Sequence, residues 1–275
     1  MRQLCKWIRM VCTGGPSIMW GAHHCKRYLR HPEKYTVKEK HAYANALGKR
    51  LAKRAFKTEF IITGQENLEK AKGQVLFVSN HVSVLDPIFF MAYSDRPVTF
   101  LGKKQILKMP FVSTVLRSID GAFIDREDLR SEIKVFREIN NLLKAQPDLS
   151  FCVYPEGTRS KGPDFPMAEF KGGSFKIATR LDLPIVPVAA WLTERSMDPH
   201  YHYHKYPLQV AYCQPIMPEE YEKMTTGQIA AIAQERVEAK LKELKENDLN
   251  MIMKLNNYKE EKAKKVQYSS NTHTI

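Results

Sequence analysis

Short apolar runs alternate with longer stretches in which apolar residues recur every three or four positions, and that alternation predicts strands and helices in turn. Seven runs read as strands: Thr58–Thr63, Gln74–Ser79, Val98–Leu101, Ala122–Asp125, Leu149–Tyr154, Ile185–Ala190 and Gln209–Cys213. Helical patterns fall between several of them. The clearest is Asp128–Gln146, with Leu129, Ile133, Phe136, Ile139, Leu142 and Leu143 on one side, and Gln228–Glu246 reads as a last amphipathic helix rich in Glu and Lys. This order predicts an α/β fold with a central, mostly parallel or mixed sheet flanked by helices. The polar end from about Lys262 to Ile275 predicts a frayed tail.

The first 57 residues follow another pattern. Leu4, Trp7, Ile8, Val11 and Cys12 share one face of a predicted helix, and Arg2, Lys6 and Arg9 share the other. Gly14–Gly15–Pro16 breaks that helix, and a second runs from about Val37 to Phe56. Ala44, Leu47, Leu51, Ala52 and Ala55 lie along one side of it, and Lys49, Arg50, Lys53, Arg54 and Lys57 along the other. Charge follows the same division. The chain carries +13, and residues 1–57 hold 14 Lys/Arg against 2 Asp/Glu, so the remainder is close to neutral. A cationic amphipathic segment of this kind seeks an anionic partner. No RNA-binding aromatic signature or helix-turn-helix accompanies it, so a lipid surface is expected and nucleic acid is not. Met10–Cys25 is uncharged but only 16 residues long and interrupted by Gly–Gly–Pro, short of the roughly 18–20 residues that span a bilayer. It is also too polar for the core of a signal peptide. The expected organisation is a basic membrane-association segment over 1–57, an α/β domain over 58–250 and a polar tail over 251–275.

Candidate chemistry sits at the ends of the predicted strands. In Val75–Leu76–Phe77–Val78–Ser79–Asn80–His81–Val82–Ser83–Val84–Leu85–Asp86–Pro87 an apolar strand stops at Asn80–His81, and a helix restarts at Asp86–Pro87. Asp86 alone would serve as an N-cap and His81 as a loop histidine; together an imidazole and a fixed carboxylate make a general base. Leu101–Gly102–Lys103–Lys104 delivers two lysines at a strand end, and Phe123–Ile124–Asp125–Arg126 ends a buried pair in Asp–Arg. Phe151–Cys152–Val153–Tyr154–Pro155–Glu156–Gly157–Thr158–Arg159 repeats the logic of the first stretch, with Glu156 and Arg159 projecting and Arg159 suited to grip a phosphate. Val186–Pro187–Val188 reads as a core strand. The five cysteines include no Cys-x-x-Cys pair and read as reduced thiols of a cytosolic protein. His200, His202 and His204 alternate among tyrosines and read as a surface loop, not a metal site.

Each motif is weak alone, and their order carries the weight. Over roughly Thr58 to Pro218 the set resembles the glycerolipid acyltransferases with a His-x4-Asp motif, the lysophosphatidate acyltransferases among them. The resemblance implies transfer of a fatty acyl group from acyl-CoA or acyl carrier protein to the free hydroxyl of 1-acyl-glycerol 3-phosphate, giving phosphatidate. It implies no cofactor beyond that donor. His81 would be the base and Asp86 its orienting partner, with Lys103, Arg126, Glu156, Gly157 and Arg159 at the acceptor site. The acceptor hydroxyl would attack directly, which fits the lack of a Gly-x-Ser-x-Gly elbow. The expected location is peripheral, on the cytoplasmic side of the cell membrane. Acylation of glycerol 3-phosphate or another lysolipid, and a non-catalytic lipid-binding role, remain the alternatives.

Overall fold

Strand β2 (Leu76–Ser79) is buried along its whole length at the centre of a seven-stranded sheet. The computed structural model describes residues 2–125, 129–160 and 166–271. Its strands are β1 (Thr58–Thr63), β2, β3 (Val98–Lys103), β4 (Ala122–Ile124), β5 (Ser150–Val153), β6 (Ile185–Trp191) and β7 (Tyr206–Tyr212), in the spatial order β1-β7-β6-β2-β5-β3-β4. All seven predicted strands are present. Every neighbouring pair is parallel except β6 with β7. The sheet is therefore mixed, and β2, β3, β4, β5 and β6 all end at the same edge. That edge is where open α/β sheets place their ligands.

The helices are α1 (Arg2–Arg9), α2 (Gly15–Arg30), α3 (Val37–Leu51), α4 (Gln65–Lys70), α5 (Asp86–Tyr93), α6 (Pro110–Ser118), α7 (Leu129–Ala145), α8 (Lys176–Leu181), α9 (Pro218–Tyr221), α10 (Thr226–Asn256) and α11 (Glu260–Asn271). Side chains alternate across β2, so it feeds two cores. Leu76 and Val78 pack with Phe151, Val153 and Ile185 against α7, α8 and α10. Phe77 packs on the other face with Cys152, Val186 and Val188 against Phe89 and Phe90 of α5. α2, α3 and α6 share a third cluster built on Tyr28, Leu47, Leu51 and Val115.

α3 continues through a wider π turn to Phe56, as expected, but Ala44 and Ala52 enter the core beside α5, so 37–57 packs into the body. α10 starts at a capping box in which Thr225 accepts from the Gln228 N–H and Gln228 accepts from the Thr225 N–H. It runs ten residues past Glu246, because Leu249, Ile252 and Met253 continue its apolar stripe. The expected boundary at 250/251 thus falls inside a helix. Beyond it α11 buries Ala263 against Ile252, Tyr201, Tyr203 and Tyr206.

The first helix is turned opposite to the usual arrangement. Leu4, Trp7, Ile8 and Val11 are exposed, while Lys6 is only 4% exposed and Arg9 Nε donates to the Ala55 carbonyl at 3.1 Å. Met19 and Trp20 extend the exposed apolar surface along α2. Among the described residues no helix is long and apolar enough to cross a membrane.

Candidate active site

The chain leaves β2 at Ser79 and loops back onto the start of α5 within seven residues. Asp86 opens that helix with Pro87 behind it, where a fixed φ and a missing N–H are tolerated. Its carboxylate closes the loop: Oδ2 accepts the backbone N–H groups of Val82 at 2.8 Å and Ser83 at 2.9 Å. The same Oδ2 stands 2.6 Å from His81 Nδ1. A carboxylate that accepts here makes Nδ1–H the donor, which leaves Nε2 as the free lone pair. Nε2 has no hydrogen-bond partner among the described residues. The fourth bond to Asp86 comes from the Thr193 hydroxyl, on the turn that follows β6. Asp86 is buried and the His81 side chain is 21% exposed, so the pair has a dry back and an open front.

Neighbouring strands complete the frame. Asn80 mimics a strand residue: its side-chain amide donates to the Ala190 carbonyl and accepts from the Ala190 N–H, both at 2.9 Å. The His81 ring stacks on Tyr154, with centroids 4.5 Å apart. The turn after β5 is sewn to the histidine loop from both sides. Ser160 N–H donates to the His81 carbonyl at 2.8 Å, and His81 N–H donates to Glu156 Oε1 at 2.6 Å. Gly157 takes a φ of 70° there, a left-handed angle that suits glycine.

Glu156 differs from the sequence reading in its position. It does not project from the strand end: it is 2% exposed, and its second oxygen accepts the Ala168 N–H at 3.0 Å. Burial raises its carboxyl above the ordinary carboxylate range, and the two N–H bonds oppose that rise. It holds the histidine loop from beneath. Arg159 is exposed on the same turn, and Lys103 is exposed at the end of β3. Lys104 beside it is paired with Asp125 at 3.3 Å. Arg126, the remaining predicted acceptor residue, lies outside the described residues. The strands thus bring His81 into direct contact with Asp86 and Glu156, with Gly157 on the turn beside Glu156, and set Lys103 and Arg159 on the same sheet edge. Cys152 is buried inside β5 and its thiol is pushed well up by burial, which makes it a poor nucleophile. Sequence reasoning missed Thr193, which is 107 residues from Asp86 and carries no local signal.

Glu194, next to Thr193, has a buried Oε2 with no hydrogen-bond partner among the described residues, and burial raises its carboxyl to about 7. The folded protein therefore binds more protons than the unfolded chain from the ordinary carboxylate range up to about 7, and stability falls as pH rises through that window. Glu194→Gln removes the charged form. Its expected effect is stabilisation by about 2 kcal/mol or more above pH 7 and little change near pH 4, read by urea unfolding at the two pH values.

Comparison with known proteins points one way. Residues 59–191 match the family model described as acyltransferase. A 1-acyl-sn-glycerol-3-phosphate acyltransferase of Borreliella burgdorferi is 33% identical over 135 residues, covering 49% of this chain and 52% of that protein. The Saccharomyces cerevisiae protein of the same name is 31% identical over 186 residues, covering 66% and 60%. The chain spans about half the length of the first of these relatives. The crystal structure of the 1-acyl-sn-glycerophosphate (LPA) acyltransferase of Thermotoga maritima is similar in fold, with a TM-score of 0.68 at 24% identity over 89% of this chain and 98% of that one.

Proposed function

We propose that the chain, whose residues 59–191 match the acyltransferase family model, transfers a fatty acyl group from a thioester to the free hydroxyl of 1-acyl-glycerol 3-phosphate, making phosphatidate. One observation carries the reading: a histidine whose Nδ1 is fixed by Asp86 at 2.6 Å, with no partner for Nε2 among the described residues, at the sheet edge that also bears Lys103 and Arg159.

In this reading His81 Nε2 takes the proton of the acceptor hydroxyl as its oxygen attacks the thioester carbonyl. Asp86 keeps the imidazole in the required tautomer and stabilises the imidazolium. The C–S bond then breaks, and the departing thiolate receives that proton. No acyl-enzyme and no cofactor enter the step. Lys103, Arg126 and Arg159 bind the acceptor phosphate, Arg159 with its planar fork. Glu156 and Gly157 act by shaping the loop. Acyl-CoA and acyl carrier protein both present the thioester this chemistry needs.

The reading includes lipid substrates, and with them a peripheral location on the cytoplasmic side of the cell membrane. The outward apolar face of α1 and Trp20 of α2 supports this, as do the exposed Lys49, Arg50, Lys53 and Arg54 nearby in sequence. The double variant Trp7→Ser/Trp20→Ser is expected to bind anionic vesicles on the order of tenfold more weakly with an unchanged melting temperature. Unchanged binding would remove this face from the account.

The acceptor is tested by initial rates with lysophosphatidate, glycerol 3-phosphate and lysophosphatidylcholine at equal donor concentration. Lysophosphatidate is expected to be preferred. A preference for glycerol 3-phosphate would keep the mechanism and change the acceptor. Transfer to lysophosphatidylcholine at an equal rate would take recognition of a free phosphate monoester out of the account.

A further inference from the structure

Lys6 is the exception on its helix. Leu4, Trp7 and Ile8 around it face solvent, yet Lys6 is 4% exposed. Its ammonium enters a cage of backbone carbonyls, donating to Asp198 O at 2.5 Å, Tyr201 O at 3.2 Å and Arg195 O at 3.5 Å. It also stands over the Tyr206 ring, 4.8 Å from its centroid. Burial lowers its pKa to about 8, against the partial support of Asp198. Taking an ammonium out of water is costly, so a contact of this kind persists only where its geometry is good.

All three carbonyls belong to one segment, 193–201, and the start of that segment is the support of the histidine–aspartate pair. Thr193 donates its hydroxyl to Asp86 Oδ1. Two residues on, Arg195 is anchored in the core: its guanidinium meets Asp248 of α10 at 2.6 Å and lies over the Tyr201 and Tyr203 rings. Backbone bonds from Arg195 N–H to the Leu192 carbonyl and from Met197 N–H to the Glu194 carbonyl make the segment a stiff pair of turns. A short, doubly anchored strut thus runs from the first helix to the carboxylate that orients His81.

We propose that Lys6 is a positioning residue: by gripping the carbonyls of Arg195, Asp198 and Tyr201 it holds Thr193 against Asp86, so that the seating of α1 sets the geometry of the His81–Asp86 pair. The proposal rests on the reading of Asp86 as the orienting carboxylate. When the grip is released the strut loses its outer tie, the Thr193 bond loosens, and Asp86 leans further into its remaining donors. Displacements of that size at a distance from the chemistry are enough to slow it.

The test uses Lys6→Met, Lys6→Arg, Thr193→Val and the double variant Lys6→Met/Thr193→Val, with the low-field proton resonance of the His81–Asp86 hydrogen bond as the first readout. Thr193→Val is expected to move that resonance. Lys6→Met moves it in the same direction, Lys6→Arg leaves it near its wild-type position, and the double variant moves it no further than Thr193→Val alone. In transfer assays Lys6→Met lowers kcat about tenfold, while acceptor KM and binding to phosphatidylcholine–phosphatidylglycerol vesicles stay at wild-type values. Lys6→Gln, which keeps a donor, replaces Lys6→Met where that variant does not fold. A resonance unmoved by loss of the ammonium, or shifts that add in the double variant, would reduce Lys6 to a docking contact. The resonance needs no substrate, so this result stands apart from whether the acyl-transfer reading holds.

Discussion

His81→Ala is expected to lower acyl transfer about 10³- to 10⁴-fold while leaving the protein folded. The size follows from the role: without the imidazole, the donors to Asp86 among the described residues are two backbone N–H groups and a hydroxyl, none of which serves as a base. Retention of the fold follows from the packing. The loop is held through the main chain of residue 81, whose N–H meets Glu156 and whose carbonyl receives Ser160, and both bonds survive in alanine. The ring itself is partly exposed and gives up its stacking on Tyr154. Initial rates against wild type, with a melting curve for each protein, read both halves of the prediction. A variant that keeps wild-type turnover would end the general-base mechanism.

Asp248→Ala is expected to destabilise the protein by about 3–5 kcal/mol, the largest loss of stability among the changes considered. Arg195 is 1% exposed, and its guanidinium depends on this single carboxylate and on two ring faces. Its Nε and Nη1 have no hydrogen-bond partner among the described residues. Removing Asp248 leaves a buried cation with no countercharge. Asp248 also accepts from the Gln209 amide at 3.3 Å, so β7 loses a tie to α10 as well. Replacing both partners, as Arg195→Met/Asp248→Leu, is expected to cost much less than Asp248→Ala alone, because no orphaned charge remains. Urea unfolding of the three proteins decides it, and equal losses would mean that the pair acts by packing and not by charge.

The sheet was largely legible because its central strands are buried on both faces and read as unbroken apolar runs, Leu76–Val78 and Phe151–Val153 among them. The histidine–aspartate pair was legible for another reason: both residues belong to one strand–loop–helix unit, so spacing alone brings them near each other. Contacts between distant segments left no such trace. Thr193 reaches Asp86, and Asn80 pairs with Ala190, only because β6 lies beside β2 in the folded sheet. Glu156 looked like a projecting acid because a turn after a strand exposes most side chains; two backbone N–H donors draw it inward. For α1 the periodicity showed which residues share a face. It could not show which face would be covered, since the carbonyl cage that takes Lys6 is built about 190 residues away in sequence.

The most direct test of the account is the product formed by the wild-type protein from a radiolabelled acyl thioester and lysophosphatidate in anionic vesicles, with acyl-CoA and acyl carrier protein as separate donors. The account predicts label in phosphatidate with at least one donor, and none in a parallel reaction with His81→Ala. Absence of labelled phosphatidate with both donors, from folded protein bound to the vesicles, would contradict it.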